Sequence, residues 1–381
     1  MATTKKTKVT AIIVTAALAV IAFGAFRGRT RDATPTAALL ASSGPPPAGT
    51  ARGDGPPLRV VKTFTRRDCS LAPWLITDKL GYFREEGIEL VFTGELQAPQ
   101  QVPSLLNGTN DVTSLHPNAA AMVINGGGKI RGVARAGREP AEDLPPEFRH
   151  MWWFVNPEKH PGVHSFSDLN SLPGRIKFSL INSNSCNDFL ANKILDAHGV
   201  PRDKIEWVTM PDVQAIQALS QGLTDVGGVH PPFFKGMIDA GQRKVADTLE
   251  ARLPPESAGL TYYFFTEDFI ARNPETVKAF ARAMIRGQRF INENPEQARL
   301  WTQEAIGVPV SANHYYAEVP SLAPELAAPW LEDLEDTGAL PKGKLKPVDI
   351  VDMQFDGIPF SDGDSAASSG SATAGEPVYR L

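Results

Sequence analysis

The sequence predicts an α/β protein of two similar lobes, and three observations carry that reading. Short β-branched runs alternate with helix-like stretches from about residue 58 onward, which is the grammar of parallel βαβ units. One segment recurs at a constant offset of 114 residues: Gly108-Thr109-Asn110-Asp111-Val112 through His116-Pro117 matches Gly222-Leu223-Thr224-Asp225-Val226 through His230-Pro231. The chain has 381 residues, 42% hydrophobic and 21% charged. Those proportions suit two globular domains and exclude both wholesale disorder and a polytopic membrane protein.

The N-terminal sixty residues read as an address and a tether. Lys5, Lys6 and Lys8 precede an uncharged stretch, 9–26, closed by Arg27. A basic region followed by an apolar one predicts delivery to a membrane for export. The stretch is long for a signal-peptide core and short for a spanning helix, so residues 1–32 are expected to be either a signal peptide or a membrane anchor. No cysteine follows it, which argues against a lipoprotein anchor. Residues 33–57, with Gly44-Pro45-Pro46-Pro47, form a flexible linker, and 361–381 a disordered tail. Residues 1–56 hold five more basic than acidic side chains; against −5 for the whole chain, the remainder sits at −10. So acidic a body excludes a nucleic-acid binder, which needs a basic face.

Within the body, 58–64 alternates as a strand. A helix is expected over 73–86, with Trp74, Leu75, Leu80 and Phe83 at helical spacing and Gly87 as its stop. Strands follow at 88–92, 111–115 and 130–134, with helices at 102–106 and 119–124 between them. The pattern restarts with strands at 176–181, 205–208 and 224–229 and helices at 188–198 and 213–220. Helices at 274–292 and 295–305 close the body and are expected on the first lobe, with Met284, Ile285, Phe290 and Ile291 as core. A looser likeness relates Cys69 and Cys186, each opening a helix that ends near a glycine (Gly81, Gly199). Two related lobes would therefore set Cys69 opposite Cys186 and His116 opposite His230.

Taken in order, these residues resemble the extracytoplasmic solute-binding proteins of ABC importers, in the nitrate, sulfonate, taurine and thiamine-pyrimidine class. The resemblance rests on Leu80-Gly81-Tyr82-Phe83-Arg84-Glu85-Glu86-Gly87-Ile88, on the two Gly-x-x-Asp-Val segments, on Asp168-Leu169 before Pro173-Gly174, and on Asn273-Pro274-Glu275 and Asn294-Pro295-Glu296. It implies the type II periplasmic binding protein fold: two Rossmann-like lobes with a hinge, the chain crossing near 148–156 and returning near 260–268. The corresponding division is first lobe 58–150, second lobe 151–260, and return with C-terminal helices 261–360. It further implies a small-molecule ligand in the interlobe cleft, an ABC permease as partner, an extracytoplasmic location and a monomer, with no cofactor.

In open α/β sheets ligands sit beyond the C-terminal strand ends. The residues so placed are Arg66, Arg67, Cys69, Trp74, Ser114, His116, Asn118, Asn184, Ser185, Cys186, Asn187 and His230. Helix N-termini and the two arginines suggest an anionic organic ligand such as a sulfonate or carboxylate, and a pyrimidine-like one follows from the resemblance. Trp74, Trp152 and Trp153 are candidates to flank an aromatic ligand, with core packing as the plain alternative. Two further readings stay open. A cysteine-dependent lyase or hydrolase on the same scaffold, resembling the aryl-sulfinate desulfinases, would use Cys69 with His116. Convergence of Cys69, His116, Cys186 and His230 would make a soft-metal site, and a Cys69–Cys186 disulfide is the alternative for the two cysteines.

Overall fold

The computed structural model describes residues 58–359; the expected export segment, linker and tail lie outside the described residues. Among the described residues there are ten strands: β1 Arg59–Thr65, β2 Ile88–Glu95, β3 Val112–Leu115, β4 Ile130–Arg135, β5 Trp152–Val155, β6 Ile176–Leu180, β7 Ile205–Thr209, β8 Val226–Val229, β9 Arg243–Asp247 and β10 Tyr262–Thr266. The second lobe is a five-stranded sheet ordered β7-β6-β8-β5-β9. In the first lobe β1 pairs with β2, and β10 lies between β3 and β4. Asp111 joins these two pieces: its N–H donates to Lys62 O and its carboxylate accepts from Lys62 N, both at 2.9 Å. The resulting order, β2-β1-β3-β10-β4, repeats that of the second lobe.

The recurrence seen in the sequence is therefore a recurrence of structure. Asp225, the counterpart of Asp111, donates its N–H to Lys177 O and accepts from Lys177 N, both at 2.8 Å. In each lobe this aspartate ties the third strand to the first, and the strand then ends at His-Pro. Proline keeps the preceding histidine extended, at ψ 156° for His116 and 167° for His230. Each imidazole is thereby delivered at the C-terminal edge of its sheet.

The strands are not all parallel, as the βαβ reading expected. β1/β2, β6/β7 and β6/β8 are parallel, but β5 runs antiparallel between β8 and β9, and β10 antiparallel between β3 and β4. Each antiparallel strand enters its lobe directly from the other, so the lobes exchange strands. The two crossovers meet where Ala136 N donates to Thr261 O at 2.8 Å and Gly137 N to Thr261 Oγ1 at 2.8 Å. Only glycine fits there: a Cβ on Gly259 would lie 2.7 Å from the Arg138 carbonyl carbon, and one on Gly137 2.6 Å from Gly259 O.

One other expectation needs correction. The first helix is shorter than 73–86. It ends at Lys79, because Gly81 turns left-handed at φ 80°, and a separate turn, Tyr82–Glu85, precedes Gly87. The two C-terminal helices expected on the first lobe lie there, Pro295–Ile306 also packing on Leu71–Lys79. The helix Pro274–Glu293 packs on Leu71–Lys79, with Met284, Ile285 and Ile291 buried. The later helix Ala328–Asp336, however, touches the first-lobe helix Pro117–Asn125, while its Asp333 pairs with Lys193 and Arg202 of the second lobe. Among the described residues no helix is long and apolar enough to cross a membrane.

Candidate binding site

A cavity of about 120 Å³ opens between the C-terminal strand edges of the two sheets. Both lobes, both crossovers and the C-terminal segment line it. Of the twelve expected residues, Arg66, Cys69, Ser114, His116, Asn184, Ser185, Cys186, Asn187 and His230 are on its wall. Arg67, Trp74 and Asn118 are not, and each has a reason. Arg67 is half-exposed, pairs with Glu95 and lines a neighbouring pocket together with Asp212 and Phe233 of the second lobe. Trp74 faces the first-lobe core, edge-on to Tyr263 with ring centres 5.0 Å apart. Asn118 spends its amide on Ser185 O at 3.0 Å. The other tryptophans are also structural: Trp153 is buried in the core and Trp152 stacks on Phe234 at 4.1 Å.

Arg66 reaches the cavity already engaged, ion-paired with Asp68 and donating to Gln101 Oε1 at 3.0 Å. Asp68 in turn accepts from Ser70 N and Oγ at 2.9 and 2.7 Å, which shapes the turn that holds Cys69. In the second lobe Asp188 accepts the N–H groups of Asn184 and Ser185, both at 2.8 Å, and Ser185 caps the helix Cys186–Ala197. Cys186 is thereby fixed as the first helical residue. The asparagine and serine cluster is consumed in part by this capping. The expectation of an anion held by free arginines thus loses its main donor.

Thiols and imidazoles dominate what remains. Cys186 Sγ lies 3.1 Å from His230 Nε2, and His230 Nδ1 lies 2.7 Å from Asp212 Oδ2. His116 Nδ1 lies 2.8 Å from Leu260 O; a carbonyl only accepts, so that nitrogen carries a proton and donates it. His150 and His314, which the sequence reading missed, stack at 4.4 Å beside them. His150 precedes β5 on the crossover, with its N–H donating to Glu139 Oε2 at 3.1 Å. His314 lies in an irregular stretch after the helix Pro295–Ile306. Neither sits in a local motif; the one available signal was that His150 falls within the expected crossing at 148–156. Four of the chain's seven histidines and both its cysteines thus meet at one cavity. The cysteines are free thiols, so the possible disulfide is not formed.

The two thiols differ electrostatically. Burial would raise the Cys186 pKa, but His116 and His230 overcome it and bring the thiol down to about 6. Burial also opposes charge on His230, yet Cys69, Asp212 and Cys186 hold it well above the usual histidine range. The pair is thus a thiolate beside an imidazolium, steadied by Asp212. At Cys69 burial wins, and the thiol rises to about 11 despite His230. Of the two thiols Cys69 is therefore the less readily ionised. Burial, with neighbouring imidazoles, pushes His150 and His314 well below the usual range.

Two α/β lobes that exchange strands around a central cavity define the type II periplasmic binding protein class. The nitrate-binding protein NrtA of Synechocystis PCC 6803 superposes at a TM-score of 0.62 with 13% identity, over 76% of this chain and 84% of that one. The aliphatic sulphonate binding protein SsuA of Escherichia coli gives 0.56 and 13% over 84% and 96%. The ligand-binding component of an ABC-type import system from Staphylococcus aureus, with zinc bound, gives 0.58 and 13% over 77% and 96%. No curated protein matches the chain in sequence. The family model "NMT1/THI5 like" matches residues 69–298, and the chain belongs to that family. The three neighbours are named as binding proteins.

Proposed function

We propose that this protein is the extracytoplasmic solute-binding subunit of an ABC importer, working as a monomer that closes its two lobes on a small solute and presents the closed form to a membrane permease. The observation that supports this most is the cavity, lined from both lobes and reached by two crossovers in contact at Gly137 and Gly259. A solute that touches both walls favours the closed form only through contacts the open form lacks. The division at 58–150, 151–260 and 261–360, and residues 1–32 as signal peptide or anchor, belong to the same reading.

Size and chemistry narrow the solute. A cavity of about 150 Å³ holds a benzene ring, so about 120 Å³ suits a single ring or less. With Arg66 already paired, hydrogen-bonding amides, hydroxyls and imidazoles are left to recognise it. That favours a small pyrimidine-like ring over a sulfonate or carboxylate. Titration calorimetry of purified protein with nitrate, short sulfonates and single-ring pyrimidines tests this. We expect one-to-one binding of a compound of that size, recovered unchanged. Turnover of any of them, or binding only of compounds far larger than the cavity, contradicts it.

A further inference from the structure

We propose that the cavity binds a thiophilic transition-metal ion directly on its thiol and imidazole groups. The donors form two trios, Cys69 with His230 and His314, and His116 with His150 and Cys186. Within each trio one ligand atom per residue lies within 4.8 Å of the others. Bonds of about 2.0–2.3 Å in a tetrahedron place ligand atoms about 3.3–3.8 Å apart, so a small inward shift of side chains closes either trio on an ion. Cys186 and His230, in contact at 3.1 Å, link the trios into one donor set.

Three features separate this from a chance gathering of polar groups. Buried polar atoms ordinarily find partners. Here both ring nitrogens of His150, 3% exposed, and Nδ1 of His314, 7% exposed, have none, and both residues line the cavity. Second, the other two imidazoles are oriented as metal-binding histidines are. His230 turns Nδ1 to the Asp212 carboxylate and His116 turns Nδ1 to Leu260 O, which leaves Nε2 facing the thiols' side of each ring. Third, neither trio contains a carboxylate. Hard ions such as Ca²⁺ and Mg²⁺ take oxygen ligands, whereas sulfur and imidazole select Zn²⁺, Co²⁺, Ni²⁺ or Cu⁺.

The ion would occupy the cavity assigned to the solute, so this inference rests on the solute-binding reading and deepens it: the ion is the solute or a part of it. The donors come from both lobes, the first crossover and the C-terminal stretch, so closure and coordination would be one event.

The test is optical titration of metal-free, reduced, untagged protein with Co²⁺ alone, followed by competition with Zn²⁺. We expect saturable binding with sulfur-to-cobalt charge transfer in the near ultraviolet, lost on adding Zn²⁺. Cys186→Ser should abolish most of that band, and His150→Ala and His314→Ala should each weaken binding at least tenfold, with the circular dichroism of the fold unchanged. Asp212→Asn should weaken it by about 10–100-fold while keeping the band, as removal of an outer-shell partner does. Failure of the wild-type protein to show the band, or binding indifferent to both Cys69→Ser and Cys186→Ser, overturns the proposal. The same sample titrated with nitrate, sulfonates and pyrimidines separates the two readings: organic binding without a cobalt band sinks the metal site and leaves the solute-binding function standing.

Discussion

The two halves of the molecule share a backbone plan and differ in one buried charge. Each presents a cysteine after its first strand, Cys69 just before a helix and Cys186 as the first residue of one, and a histidine at the end of its third, and each ties that third strand down with an aspartate. In the second half Asp212 sits behind His230, 2.7 Å from Nδ1. In the first half a backbone carbonyl, Leu260 O, sits behind His116, and the residue 114 positions before Asp212 is Ala98. An anion holds a proton on its imidazole; a carbonyl only orients it. Cys186, beside both His116 and His230, is the more readily ionised thiol and Cys69 the less, which teaches that a duplicated scaffold can carry two unlike chemical sites.

The largest effect to look for is in the thiols. Absorbance of thiolate near 240 nm in metal-free Cys69→Ser protein should titrate near pH 6, and in Cys186→Ser protein should stay absent until near pH 11. Equal titration of the two would break the comparison. The depressed Cys186 pKa also gives stability that is full above its ordinary value of 9.0 and lost as pH falls toward 6.

Between the halves, Glu139 on the first crossover accepts from Thr248 Oγ1 at 2.8 Å on the second. Burial pushes its carboxyl up to about 7 from 4.5, against the pull of Thr248, the His150 N–H and Arg149. A raised carboxyl contributes stability that is complete below 4.5 and lost as pH rises through 7, on the order of 3 kcal/mol. Glu139→Gln should therefore flatten the melting temperature between pH 5 and 8, and an unchanged slope would show that the crossover charge is already neutralised.

Gly259→Ala forces a methyl group against the Arg138 backbone and should cost roughly 1–3 kcal/mol in denaturant unfolding. Gly162→Ala, with nothing within 4 Å of the added carbon, is its neutral control. Smallest is the effect on the matched strand ties. Asp111→Asn and Asp225→Asn should each cost about 1 kcal/mol, and nearly the same amount. Unequal costs at pH 8 would mean that the halves are less alike than their hydrogen bonds.

How much of this was written in the chain varies with distance along it. The Asp-Val…His-Pro recurrence is short-range, so it located His116 and His230 on matching strand ends, and the helix beginning at Cys186 followed from its neighbours. His150 and His314 carry no spacing signal, because only tertiary folding brings residue 150 within stacking distance of 314. The direction of β5 and β10 was equally hidden. Trp152–Val155 and Tyr262–Thr266 are almost wholly buried, and a strand covered on both faces reads as one apolar run whichever way it points. Trp74 was misplaced for a related reason: its helix is buried nearly all round, and sequence alone could not say which side met the cavity and which the Tyr263–Phe280 core. Arg66 and Arg67 are drawn into local ion pairs with Asp68 and Glu95, partners the sequence pattern does not reveal.

The most direct test of the claim that both halves surrender their thiols and imidazoles to one centre is X-ray absorption at the zinc edge of stoichiometrically loaded protein. The account predicts a mixed first shell, sulfur at about 2.3 Å and imidazole nitrogen at about 2.0–2.1 Å. A shell of oxygen alone, or of nitrogen without sulfur, would contradict it.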